Sequence, residues 1–186
     1  MKRLVDVVLA LTSLVLLSLP ILVVALLVKL TSPGPVFYWS QRVGKNNALF
    51  NMPKFRSMQQ GTPAVATHLM GDPDAYLTPI GSFIRRSSLD ELPQLWSILV
   101  GHMSFVGPRP ALYNQDDLVA ARTRHGVHAL LPGLTGWAQV NGRDDLPIPR
   151  KVELDAEYLR RRSVRFDLYI LWLTARKVLR REGVSH

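Results

Sequence analysis

The feature that most constrains this 186-residue chain is its apolar start. From Leu4 to Val28 the only ionisable residue is Asp6, and 18 of those 25 residues are Leu, Ile or Val. Each such residue favours insertion into a bilayer by roughly 0.3 to 0.6 kcal/mol, against a cost of about 3 kcal/mol for one central Asp. Insertion wins. Asp6 also lies near one end, three and four residues from Arg3 and Lys2, where helical pairing is expected to soften its cost. A removable signal peptide fits poorly, because the run is too long and no small-x-small site precedes Lys29.

An unbroken helix over this run would reach about 37 Å, enough to cross a bilayer. Two features oppose crossing. Pro20 removes a backbone hydrogen bond and bends the helix, leaving arms of about 24 Å and 14 Å. Both flanks are also basic, with Lys2 and Arg3 before and Lys29, Arg42 and Lys45 after, so both ends favour the cytoplasmic side. Residues 1–29 are therefore expected to form a re-entrant membrane helix-hairpin, and residues 30–186 one small cytoplasmic domain. The fold class expected is α+β, mostly helical, with amphipathic interfacial helices and a few short strands.

Within the domain, the Thr31–Pro35 turn cluster stops the hairpin, and Val36–Val43 and Leu49–Met58 read as extended segments around a turn at Gly44–Asn47. Gln60–Met70 reads as an exposed loop. Helical patterns cover Pro79–Arg86, Asp90–Leu99, Asn114–His125, Pro149–Arg162 and Phe166–Glu182. The last interleaves Leu168, Ile170, Leu171, Trp172 and Leu173 with Arg176, Lys177, Arg180 and Arg181. That pattern suits a helix in the lipid headgroup layer and equally a core helix with a solvated basic face.

The net charge of +9 favours anionic partners, namely nucleic acid, an anionic bilayer or phosphorylated substrates. A nucleic-acid partner leaves the apolar N-terminus without a role, so none is expected. With no cysteine, disulfides, thiolate metal sites and Cys nucleophiles are excluded. The histidines give no metal-ligand spacing, and neither a P-loop nor a dinucleotide glycine fingerprint occurs.

Chemistry concentrates in Arg85-Arg86-Ser87-Ser88-Leu89-Asp90-Glu91-Leu92-Pro93-Gln94-Leu95. Ser88 with Glu91 matches a capping box, and with Asp90 as N-cap Pro93 falls in the first turn, where its missing N–H costs nothing. Either way Asp90 and Glu91 stand at a helix start with two arginines upstream. Carboxylates there suit capping, Mg²⁺ binding beside substrate phosphates, or attack on phosphorus to form an acyl phosphate. Arg56 follows Lys54-Phe55, Arg109 lies between two prolines and Arg143 ends the Trp137–Gly142 turn; each can offer a guanidinium to phosphate or be simply a solvated charge.

Several long motifs in order then point one way: Lys2-Arg3 with Asp6, Ser32-Pro33-Gly34-Pro35, Gln41-Arg42-Val43-Gly44, Lys54-Phe55-Arg56-Ser57-Met58, Ser88 to Leu95, Val106-Gly107-Pro108-Arg109-Pro110, and Pro132 to Arg143. Over nearly its whole length the chain resembles the bacterial sugar transferases known as small monotopic phosphoglycosyl transferases. The resemblance implies transfer of a sugar-1-phosphate from a UDP-sugar to undecaprenyl phosphate with release of UMP, the first step of membrane glycoconjugate assembly. Asp90 matches the nucleophile that forms an aspartyl phosphosugar, and Glu91 its partner, the two also holding Mg²⁺. Lys54, Arg85, Arg109 and Arg143 match basic residues around the phosphates and nucleotide, with Arg56 a further candidate beside Lys54. The location implied is the cytoplasmic face of the bacterial inner membrane, against inner-leaflet phospholipid, with homo-oligomers allowed. Two departures stand out: His102 occupies a position often Asp in the family, and Leu19 separates Ser18 from Pro20 at the expected hairpin break. The sugar is not readable, although residues 59–76 and 111–121 are candidates for selecting it.

Overall fold

A computed structural model describes residues 2–63, 72, 74–142 and 146–180. The expected loop over Gln60–Met70 therefore lies largely outside the described residues, as do Arg143 and the end of the chain. The architecture is mixed α/β and mostly helical.

The apolar start forms two helices, α1 (Lys2–Leu16) and α2 (Ser18–Thr31), bent by 63°. No single helix among the described residues is both long and apolar enough to cross a membrane; only the bent pair together is. The break falls at Leu17, three residues before Pro20, so the arms are nearly equal rather than 24 Å and 14 Å. Pro20 is the third residue of α2, where no intrahelical N–H bond is needed. Its ring is incompatible with a helical carbonyl four residues back, at Leu16, and α1 ends there. Ser18 lies at the break, its hydroxyl donating to the Val15 carbonyl at 2.8 Å.

Both ends of the hairpin are tied to the domain. At the start, Lys2 Nζ donates to Asp167 Oδ2 at 2.5 Å and to the Val106 carbonyl at 3.1 Å. Arg3 donates to the Ile98 and Leu99 carbonyls. Asp6 does not pair with its basic neighbours as expected. It is 4% exposed and accepts from the Ser104 hydroxyl and the Phe105 N–H, both at 3.1 Å. Donors from the domain, rather than local pairing, satisfy this buried carboxylate.

Next come β1 (Phe37–Val43) and β2 (Leu49–Phe55), an antiparallel pair joined through left-handed Asn46 and Asn47. They match the expected extended segments, though β2 stops three residues short of Met58. The helices are α3 (Gly81–Arg86), α4 (Gln94–Val100), α5 (Asp116–Arg124), the single-turn α6 (Trp137–Val140), α7 (Ile148–Arg161) and α8 (Val164–Arg180). A short parallel pair, β3 (Ser104–Val106) and β4 (Gly133–Thr135), links the two turn-rich motifs. Their glycines serve that contact rather than a ligand: a Cβ on Gly133 would lie 2.1 Å from Gly107 N, and one on Gly136 2.1 Å from the Gly107 carbonyl.

The core is built in patches that join hairpin to domain. Ala10 of α1 packs with Met52, Leu95, Ile98 and Met103, and Val24 and Val28 of α2 pack with Phe55 and Ile84. A third patch unites Val106, Val140, Tyr158, Phe166 and Ile170. On the last helix Ile170 is fully buried, while Leu168, Tyr169, Trp172 and Val178 are exposed.

Candidate active site

The residues around Asp90 do not form the helix start read from the sequence. Ser88 adopts a left-handed conformation (φ 56°, ψ 17°) with no side-chain cap bond, so there is no capping box. Leu89–Glu91 forms one 3₁₀ turn, and α4 begins only at Gln94, after Pro93. Left-handed backbone at a non-glycine residue is strained. Here it turns the chain sharply between α3 and the Asp90 turn.

That turn points its acids into a ring of cations. Lys54, near the end of β2, sets its ammonium 2.9 Å from Glu91 Oε1 and 3.7 Å from Asp90 Oδ2. Arg109 Nη2 lies 3.3 Å from the same Glu91 oxygen. Arg85, in the last turn of α3, acts on Asp90 through its charge. Asp90 is 7% exposed. Burial pushes its carboxyl above the usual carboxylate range; Lys54 opposes this most strongly, Glu91 adds to it, and Arg85 and Arg109 pull it back. Lys54, the stretch holding Arg85, Asp90 and Glu91, and Arg109 thus come from three separate stretches of sequence to one place.

Arg56 is placed differently. It is 6% exposed, donates to the Pro35 carbonyl at 2.7 Å, and bonds the Ser32 carbonyl and hydroxyl at 2.9 and 2.7 Å. Its guanidinium fastens the hairpin exit instead of joining the acidic pair: Arg56 lies just past the end of β2, and its donors go to Pro35 and Ser32. His102 packs on Phe50, with ring centroids 5.7 Å apart, and no ion pair joins it to the dyad among the described residues.

Among the described residues no group of three or more His, Asp or Glu side chains gathers to hold a metal. Asp90 and Glu91 offer two hard carboxylates, which is the donor set Mg²⁺ takes when substrate phosphates and water complete its shell. The residues present therefore fit such an ion bound together with a phosphorylated ligand.

Sequence reading missed the supports of this site. Arg122 and Asp155 form a buried ion pair at 2.7 Å, yet stand 33 positions apart with nothing local to mark them. Tyr158 donates to Asp167 Oδ1 at 2.7 Å and to the Val106 carbonyl at 3.1 Å. Burial, followed by that bond to Asp167, pushes its hydroxyl well above the usual phenol range.

Buried Asp90 and part-buried Glu91, set among Lys54, Arg85 and Arg109, form a site whose charges suit a phosphorylated ligand. The family description for bacterial sugar transferases matches residues 1–181, and the chain belongs to that family. It is 41% identical to the UDP-glucose:undecaprenyl-phosphate glucose-1-phosphate transferase of Escherichia coli K12, over 95% of this chain and 40% of that protein. The corresponding Xanthomonas campestris enzyme is also 41% identical, with 38% of its length covered. The chain thus spans about two fifths of these relatives. It is 40% identical to the uncharacterized sugar transferase EpsL of Bacillus subtilis, over all of this chain and 90% of that protein.

Proposed function

We propose that this protein transfers a sugar-1-phosphate from a UDP-sugar to undecaprenyl phosphate, releasing UMP, through a covalent intermediate on Asp90. The observation that carries the reading is the Asp90 carboxylate, buried 3.7 Å from Lys54 and within the field of Arg85 and Arg109. Its relatives' names give the donor and acceptor classes: UDP-glucose and undecaprenyl phosphate in Escherichia coli, and undecaprenyl-phosphate galactose phosphotransferase in a 39% identical Salmonella typhimurium protein.

In the first step an Asp90 oxygen bonds to the β-phosphorus, and the bond from that phosphorus to the bridging oxygen breaks. UMP leaves with the bridging oxygen and its electron pair. In the second step an oxygen of the lipid phosphate attacks the same phosphorus and returns Asp90 to its carboxylate. Lys54, Arg85 and Arg109 stabilise phosphoryl charge in both transfers. Glu91 keeps Lys54 and Arg109 oriented through its two ion pairs. Mg²⁺, when bound with substrate at Asp90 and Glu91, supplies further charge stabilisation on the diphosphate. Splitting the transfer avoids bringing an anionic lipid against an anionic diphosphate in a single step.

The acceptor is a lipid, and the hairpin provides its setting. Leu4, Val15, Leu16, Leu19, Leu22 and Leu30 are each more than 60% exposed, which a protein in water does not sustain as one surface. Both hairpin ends bond to the same domain, which favours entry and exit on one face over spanning. This reading puts the hairpin in the inner leaflet and the domain at the cytoplasmic face of the inner membrane. Exposed Trp172 on α8 and Trp96 on α4 suit the headgroup layer.

The test is UMP release by purified, detergent-solubilised protein with Mg²⁺ and a panel of UDP-sugars. Without lipid, about one UMP per active site should appear, and the protein should gain the mass of a sugar phosphate. Asp90→Asn should abolish both. Wild-type turnover by Asp90→Asn, or turnover without any lipid-free burst, would remove Asp90 as nucleophile.

A further inference from the structure

The Pro108-Arg109-Pro110 turn lacks an N–H at two of its three residues, so its position depends on what its carbonyls accept. Four successive carbonyls are engaged. Pro108 accepts from Gly133 N at 2.9 Å, and Ala111 from Val43 N at 2.9 Å. These backbone contacts do not depend on side-chain identity. The two between them do: Arg122 Nη1 donates to the Arg109 carbonyl at 2.8 Å, and Arg42 Nη1 to the Pro110 carbonyl at 3.1 Å.

Arg122 is the more deeply built of the two. It sits on α5, 7% exposed, and its Nε and Nη2 both donate to Asp155 Oδ2, at 2.9 and 2.7 Å. Asp155, on α7, is 1% exposed. A buried ion pair is a poor device for stability alone, because apolar side chains of similar volume commonly serve as well. What apolar side chains cannot do is hold the Arg109 carbonyl. From that same residue the guanidinium reaches Glu91 at 3.3 Å. A continuous set of contacts therefore runs from α7 through α5 and the turn to the acidic pair.

We propose that Arg122, held by Asp155, is a positioning residue for the transfer: by fixing the Arg109 carbonyl, it sets where the Arg109 guanidinium stands against Glu91 and the substrate phosphates. The proposal rests on the transferase reading above. A long side chain magnifies any rotation of its own peptide plane, and a misplacement of about 1 Å can cost on the order of 100-fold in rate.

The experiment replaces the pair together, Arg122→Met with Asp155→Leu, in the full-length detergent-solubilised protein, with and without Arg109→Ala. The pair variant should melt near the parent temperature yet release UMP about tenfold more slowly or worse. In the Arg109→Ala background the same replacement should change the rate by less than about twofold, since nothing remains to position. A parent-like rate in the pair variant, or equal losses in both backgrounds, overturns the proposal. Should the pair variant fail to fold, Arg122→Lys takes its place in the same cycle, because a single ammonium cannot reproduce the three-armed contact. A parent that releases no UMP refutes the transferase reading separately. The cycle is then read as UDP affinity by calorimetry, where the pair should matter only when Arg109 is present; equal weakening in both backgrounds, or none in either, overturns the positioning role.

Discussion

Arg56→Met separates a strut from a phosphate ligand. The wild-type guanidinium makes three contacts at the hairpin exit. Pro35 is exposed, so its carbonyl can turn to water when the arginine is lost. Ser32 is 8% exposed; its hydroxyl keeps its bond to the Val28 carbonyl at 3.4 Å, but both Ser32 oxygens lose a charged donor that water cannot readily replace. Hydrogen bonds to a charged group contribute about 1.5–3 kcal/mol each, so two partly non-additive losses amount to about 3–4 kcal/mol. For a domain of this size that lowers Tm by roughly 10 °C. The assay is a thermal melt in detergent, paired with UMP release at a temperature where both proteins are folded. We expect the large fall in Tm with KM for the UDP-sugar unchanged. A Tm within about 3 °C of the parent, together with a raised KM, would show that the guanidinium serves substrate instead.

Asp90 makes two pH statements. Burial raises its carboxyl, so its ionised, attacking form is lost as pH falls through a range above that of ordinary carboxylates; Lys54→Met removes the strongest opposing charge and should move the acid limb of kcat/KM to higher pH, whereas an unmoved limb would deny Lys54 that role. The raised carboxyl also means that stability is fully present below the unfolded carboxylate's pKa and lost as pH rises through the folded value; Asp90→Asn should therefore melt higher than the parent at neutral pH, a gain that disappears near about pH 4, and equal melting temperatures at both pH values would contradict it. At Ser88, held at φ 56°, Ser88→Val should destabilise by about 1–2 kcal/mol while Ser88→Gly does not, as chemical denaturation would measure; a tolerated valine would mean the turn is not strained. For topology, a cysteine-bearing tag ahead of Met1 and an Asn47→Cys variant should both resist a membrane-impermeant thiol reagent in intact cells and react after permeabilisation. The native chain has no cysteine to confuse labelling, and reaction of the tag alone would establish a spanning segment.

Short-range features were the legible ones. The β1–β2 ribbon, the five larger domain helices and the existence of a bend near Pro20 all follow from patterns within a few residues of each other. The bend falls at Leu17, three residues before Pro20, because a proline acts on the carbonyl four residues before it. The capping reading failed at Ser88 because a left-handed residue, stabilised by the surrounding packing, overrode local capping preference.

By itself the sequence determined that a long apolar segment starts the chain, that its two flanks are basic, and that Asp90 and Glu91 follow a pair of arginines. Those are properties of neighbours, and neighbours interact whatever the fold. Only the tertiary structure decided which charges meet. It sent Lys54 and Arg109 to Glu91 but Arg56 to the hairpin exit, and it satisfied Asp6 with Ser104 and Phe105 instead of the adjacent cations. A charge excluded from water must find its partner in space, and separation along the chain places little limit on where that partner comes from.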